Sequence, residues 1–455
     1  MNTRTTAELQ RLDLAHHLHP FTDHPELATD KPLVIERAQG VYLYDTEGRR
    51  LLDGMGGLWC MNVGYGRTEI VDAVARQMTQ LPFYNTFFKT STPPVIALCA
   101  RLAALSPPGI QSFFFANSGS EANDTNIRLV QTYWRQVGQA QRRRIICRDN
   151  GYHGSTIAAA ALTGMASMHD IPATALPDIF HVMQPHWYAL GGDQDEESFG
   201  LRAAAALEAK ILELGADTVA AFFAEPVQGA GGVIVPPASY WPEIQRICRK
   251  YDVLLVADEV ICGFGRTGAW FGCDTLGIEP DIITLAKGLS SGYLPIAACG
   301  VGERVARVLR AMPGRFAHGF TYSGHPVAAA AALANLDILE REHIVEQVAS
   351  TTGPAFQAAL RGLLDHPLVA QVRGVGVMGA VELSPDKARR APFDPVGSVS
   401  TRVRNLCFAR GLVTRAVYDG LVFAPPLVIT PAQCGELAGI LRGCLDTVAA
   451  ELGMR

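Results

Sequence analysis

Pro280-Asp281-Ile282-Ile283-Thr284-Leu285-Ala286-Lys287-Gly288-Leu289-Ser290-Ser291-Gly292 is an apolar run that ends on a lysine and opens into a glycine- and serine-rich loop. A short continuous apolar run between turn residues reads as a strand buried on both faces. Upstream, 253–257 is a second such run and ends directly on Asp258; 218–224, 144–148 and 113–116 are others, and 296–301 follows downstream. Helical patterns at 121–137, 199–214 and 240–250 lie between them. Buried strands alternating with helices predict an α/β fold, a mostly parallel central sheet covered on both faces.

The chain has 455 residues, too many for one ordinary core, and two lobes are expected. Their division is placed at 1–75 (an N-terminal segment belonging to the smaller lobe), 76–325 (the large domain) and 326–455 (the smaller α+β domain). Val41-Tyr42-Leu43-Tyr44-Asp45 into Glu47-Gly48 reads as a strand and hairpin turn. His16, His17 and His19 precede Pro20 and read as a helical lead-in and loop. A metal site there would need acidic or cysteine partners, and no metal is expected. The net charge of −5 argues against nucleic acid as a partner. The ten cysteines are scattered without zinc or disulfide spacing. Residues 1–10 lack an apolar signal core, and no run approaches the roughly 20 apolar residues of a membrane span. A cytoplasmic protein with no membrane partner is the expectation.

Three segments carry chemistry. In Asn117-Ser118-Gly119-Ser120-Glu121, a strand runs into a helix start, where free N–H groups and two hydroxyls would cradle a phosphate. Ordinary capping explains serine there equally well. Asp258 ends a buried strand, where a carboxylate needs a cationic or donor partner, or else caps the next turn. Lys287 ends another, where desolvation would lower its pKa and favour the neutral, nucleophilic amine. Together they match the needs of pyridoxal 5'-phosphate: a phosphate cradle, a carboxylate to keep the pyridine nitrogen protonated, and a lysine for covalent attachment.

The segments from Val256-Ala257-Asp258-Glu259-Val260 through Gly265-Arg266-Thr267-Gly268 to Lys287-Gly288 resemble the cofactor-attachment motif of class III aminotransferases, of pyridoxal-phosphate fold type I. Gly151-Tyr152-His153-Gly154, Glu225-Pro226-Val227-Gln228-Gly229 and His318-Gly319-Phe320-Thr321 are similar to further family blocks. Asp53-Gly54-Met55-Gly56-Gly57-Leu58-Trp59-Cys60 looks most like ω-transaminases that use pyruvate with putrescine or aromatic amines. The resemblance implies a homodimer, or a tetramer built from it, with shared active sites. Ser118, Gly119 and Ser120 would bind phosphate from one subunit and Thr321 from the other. Tyr152 would stack on the ring, Val260 on its opposite face, with His153, Glu225 and Asp258 around it. Lys287 would be the catalytic base and acid. Trp59 and Tyr152 would flank the substrate, and Phe87 and Phe88 would line the partner's pocket.

Such an enzyme takes an amine without an α-carboxylate, then a keto acid that has one. Arg415 matches the family's mobile arginine, whose fork suits a carboxylate. Relatives usually carry glycine where this chain has Tyr418, and a ring there would narrow the pocket or alter the arginine's path. The expected reaction moves an amino group from a primary amine (putrescine, an arylalkylamine or an ω-amino acid) to pyruvate, giving an aldehyde or ketone and L-alanine. β-Alanine or taurine as donor, and an aminomutase or decarboxylase of the same fold, are the alternatives; a non-catalytic scaffold would not need Lys287, Asp258 and Thr321 together.

Overall fold

A computed structural model describes residues 4–454; the first three residues of the expected N-terminal segment, and Arg455, lie outside them. Seven strands form the central sheet: β1 (Ile110–Ala116), β2 (Arg144–Arg148), β3 (Ile179–Val182), β4 (Val219–Ala224), β5 (Leu254–Asp258), β6 (Ile282–Leu285) and β7 (Ala297–Gly302). Their order is β1-β7-β6-β5-β4-β2-β3. β7 runs antiparallel to both neighbours, and the other neighbouring pairs are parallel.

Every residue of β4, β5, β6 and β7 is buried, as a sheet covered on both faces requires. Within β5 the side chains alternate. Leu254 and Val256 pack with Leu129, Val130 and Trp134 of the helix Gly119–Gln136 on one face. Leu255 and Ala257 belong to the opposite core, with Phe199 and Leu207 of Glu196–Leu214 and Trp241 and Ile244 of Tyr240–Tyr251. Each such large apolar side chain contributes about 1.5–3 kcal/mol on burial. In β7, a Cβ on Gly300 would lie 2.6 Å from Ile283 and 2.8 Å from Ile110, so only glycine lets the neighbouring strands close over it.

Two smaller sheets flank this body. Ile35–Gln39, Tyr42–Asp45 and Arg50–Asp53 form an antiparallel meander, and Leu412–Val413 joins it parallel to Arg50–Asp53. The two ends of the chain thus share one sheet. Val369–Val375, Met378–Leu383, Gly420–Phe423 and Arg415–Val417 form the other, antiparallel throughout. Val417 pairs with Gly420, leaving the two-residue turn Tyr418-Asp419. Such turns favour a left-handed first residue, usually glycine. Tyr418 occupies that position with φ 50°, at a cost of about 1–2 kcal/mol. No helix among the described residues is long and apolar enough to cross a membrane.

Candidate active site

Because β1, β2, β4, β5 and β6 point the same way, their C-terminal ends meet along one edge of the sheet, where open α/β sheets place ligands. A cavity of about 360 Å³ opens there. Its walls are Ser118, Gly119 and Ser120 after β1, Tyr152 and His153 after β2, Glu225 after β4, Asp258 and Val260 at the end of β5, and Lys287 after β6. The antiparallel β7 brings its opposite end to the same place, adding Pro295 and Ile296.

The serine segment is built as an anion cradle. Ser118 caps the helix Gly119–Gln136 by accepting from Glu121 N at 3.2 Å. The N–H groups of Gly119 and Ser120 head the helix, beyond the reach of any preceding turn. Ser120 Oγ accepts from Ser155 N at 3.0 Å, leaving its proton to give. Gly119 sits against Val260, whose Cγ2 would be 3.1 Å from any added Cβ. Gly154 adopts φ 137°, and a Cβ there would strike Ser120 Oγ at 2.4 Å. The cradle therefore needs both glycines.

Asp258 is 3 % exposed and gathers three partners. Asn123 Nδ2 donates to Oδ2 at 2.8 Å, His153 Nδ1 lies 2.8 Å from the same oxygen, and Val260 N donates to Oδ1 at 3.1 Å. Thr284 donates to Asn123 Oδ1 at 2.8 Å and so fixes which way the amide faces. Glu225 accepts from Tyr152 N at 3.0 Å and Gly229 N at 2.9 Å, and burial raises its pKa. It holds the Tyr152 loop in place.

Lys287 is held at φ 43°, a left-handed conformation unusual for a side-chain-bearing residue. Asn335 fixes its loop, donating to the carbonyls of Gly288 at 2.9 Å and Leu289 at 3.0 Å. Asn62 fills the space a Cβ on Gly288 would occupy. Burial lowers the lysine's pKa; Asp258 and Glu225 oppose that, and Arg415 adds to it. The result is an amine poised toward its nucleophilic form, facing an anchored carboxylate and an anion cradle. The donor set fits pyridoxal phosphate at three separate points.

Arg415 is half-buried, and desolvation lowers its pKa, with Tyr152 opposing. No acidic side chain pairs with it among the described residues. Tyr418 does not line the Lys287 cavity. Its hydroxyl donates to Asn150 Oδ1 at 2.7 Å, tying the Arg415 hairpin to the loop that carries Tyr152. The turn leaves the ring 51 % exposed.

Trp59, expected beside the substrate, is not among the residues that line this cavity in the single chain. It is 2 % exposed and packs in a cluster with Ile261, which does line the cavity. Phe87 and Phe88 are not on their own chain's cavity; they line a separate groove of about 1060 Å³ with Phe113, Arg315 and His318. Thr321 sits on an exposed turn just beyond that groove. Sequence reasoning passed over Asn123, Asn335 and Asn62, the amides that orient Asp258 and the Lys287 loop.

The family model for Aminotransferase class-III matches residues 25–445. The chain is 52 % identical over 445 residues to a putrescine–pyruvate aminotransferase of Pseudomonas aeruginosa, covering 98 % of this chain and 97 % of that one. It is 43 % identical to a diaminobutyrate–2-oxoglutarate transaminase of Halomonas elongata, covering 92 % and 91 %. Among solved structures it matches the ω-transaminase of Pseudomonas jessenii in complex with PMP, with a TM-score of 0.95, 42 % identity and coverage of 98 % and 99 %. The (S)-enantioselective ω-transaminase of Thermomicrobium roseum matches with a TM-score of 0.95, 43 % identity and the same coverage. The fold is pyridoxal-phosphate fold type I and the cofactor is pyridoxal 5'-phosphate. With its cradle, carboxylate and lysine at one sheet edge, the chain belongs to the class III aminotransferases.

Proposed function

We propose that this enzyme transfers an amino group from a primary amine to pyruvate, releasing an aldehyde or ketone and L-alanine, with putrescine, arylalkylamines and ω-amino acids as the donor class. The observation that carries the reading is Arg415: a half-buried guanidinium without an acidic partner among the described residues, close enough to act on both Tyr152 and Lys287. A keto acid brings the carboxylate that this fork binds in two places. An amine brings none, and a long side chain that is only half-buried can move aside rather than stay unpaired. The 52 % identity to the Pseudomonas aeruginosa putrescine–pyruvate enzyme supports the choice of acceptor and donor.

Bound pyridoxal phosphate supplies an electron sink and a carbon that carries the amino group between substrates. Ser118, Gly119 and Ser120 would hold its phosphate, and Asp258, steadied by His153, would keep its ring nitrogen protonated. Tyr152 and Val260 would help to confine the ring. Lys287 would attach the cofactor and would move a proton off and onto the substrate carbon. We place the protein in the cytoplasm, a reading supported by ten cysteines that are all free. We read the working unit as a homodimer, or a tetramer built from it. Thr321 of each subunit would then reach the other's phosphate, and Phe87 and Phe88 would complete the other's substrate pocket.

A panel of amines run with pyruvate and with 2-oxoglutarate, ranked by kcat/KM, tests this reading. Pyruvate is expected to be the better acceptor, with diamines or arylalkylamines leading the donors. Preference for 2-oxoglutarate would overturn it, and carbon dioxide release would point to decarboxylation instead. Arg415→Ala is expected to raise KM for pyruvate by about 10- to 100-fold, the worth of charge-assisted hydrogen bonds of about 1.5–3 kcal/mol. The amine half-reaction should change far less, and separate measurement of the two halves checks it.

A further inference from the structure

We propose that Asp13, His17 and His19 form a binding site for a divalent transition-metal ion, with Zn²⁺ the ion their chemistry fits. The helix Thr6–His16 ends as His17 adopts an extended conformation (φ −111°, ψ 123°). The chain turns there, and His19 comes back over the last helical turn. Asp13 lies on that turn, four residues before His17, and supplies the acidic partner that the histidine cluster lacked in the sequence reading. His17 Nδ1 is 3.2 Å from Asp13 Oδ1, and His19 Nε2 is 2.6 Å from Oδ2. One ligand atom from each of the three lies within 4.8 Å of the other two.

Ligands about 2.0–2.1 Å from a tetrahedral ion sit about 3.3 Å from one another. The His17–Asp13 pair already has that separation, and rotamer-scale adjustment brings in the third ligand. The two imidazole centroids are 4.1 Å apart with the rings tilted 38°, so both present an edge nitrogen to one carboxylate. Two imidazole nitrogens and one oxygen suit zinc and its neighbours; magnesium and calcium want oxygen alone. His17 is 57 % exposed, which leaves the fourth position to water. An ion here would staple the N-terminal helix to the loop that follows it, far in sequence from the Lys287 machinery.

The test is calorimetric titration of ZnCl₂ into full-length holoenzyme that has been freed of metal with a chelator and desalted. Wild type is expected to bind one more Zn²⁺ per chain, at concentrations below about 100 μM, than either Asp13→Asn or the double variant His17→Asn/His19→Gln. Its thermal midpoint should rise with Zn²⁺, and that of the double variant should not. All three substitutions fall on a partly exposed segment with near-isosteric residues, and thermal midpoints without metal confirm that the variants fold. Absence of Zn²⁺ uptake by wild type in that range would overturn the proposal. Equal uptake by the double variant, which would place the ion on cysteines or other groups, overturns it as well.

Discussion

Lys287→Ala is expected to lower kcat by about 10⁴-fold while leaving the protein folded and able to take up pyridoxal phosphate. The lysine loses two duties at once. Positioned acid–base transfer alone contributes about 10²- to 10⁴-fold, and covalent attachment of the cofactor is lost with it. The cradle at Ser118–Ser120 and the carboxylate of Asp258 remain, so cofactor binding weakens without vanishing. Treatment with borohydride separates the two duties: cofactor fluorescence should stay with the denatured wild-type chain and wash away from the variant. An alanine variant within tenfold of wild type would remove Lys287 from its role. The strained φ of 43° gives a further handle, since alanine tolerates it no better than lysine and the loop stays held by Asn335.

Asp258→Asn should cost about 10- to 10³-fold in kcat with little change in the overall fold. A neighbouring opposite charge shifts a pKa by about 1–3 units, each worth about 1.4 kcal/mol. Removing the charge lets the ring nitrogen lose its proton at neutral pH, and the electron sink weakens by that amount. The amide is nearly isosteric with the acid, but its single oxygen accepts either from Asn123, in the Oδ2 position, or from Val260 N, in the Oδ1 position, and the other donor then faces the new NH₂. If the NH₂ takes the Oδ2 position it also faces His153, whose imidazole must switch tautomer to accept from it. Steady-state kinetics over pH would show kcat of the variant recovering as pH falls, because acid restores the ring proton. A flat profile with full activity would contradict the assignment.

The parts of this enzyme that the sequence makes legible are those written in adjacent residues. Lys287 and Asp258 each end an apolar run, and a lysine or aspartate at a strand end carries a physical demand that can be read without coordinates. The cradle is legible for the same reason, since capping residues mark a helix start. Contacts made across the fold are not. Asn123 and Asp258 are 135 positions apart, and nothing local announces that one amide will orient the other. The direction of β7 was equally silent, because a fully buried strand shows no alternation that distinguishes parallel from antiparallel. The packing of Trp59 in one cluster with Ile261 is another contact made across the fold that no local pattern announces. The hydroxyl bond from Tyr418 to Asn150 depends on a turn conformation that only the structure displays.

The central claim is that one site, built on Lys287 and Asp258, carries the amino group from amine to keto acid in two separable halves. Purified holoenzyme mixed with an excess of amine and no keto acid tests it most directly, by counting carbonyl product. The account predicts a single burst of aldehyde or ketone, one equivalent per active site, and then silence. Turnover should resume on adding pyruvate, with alanine formed in step with further carbonyl product. Continuous product formation without a keto acid, or no burst at all with any donor of the proposed class, would contradict it.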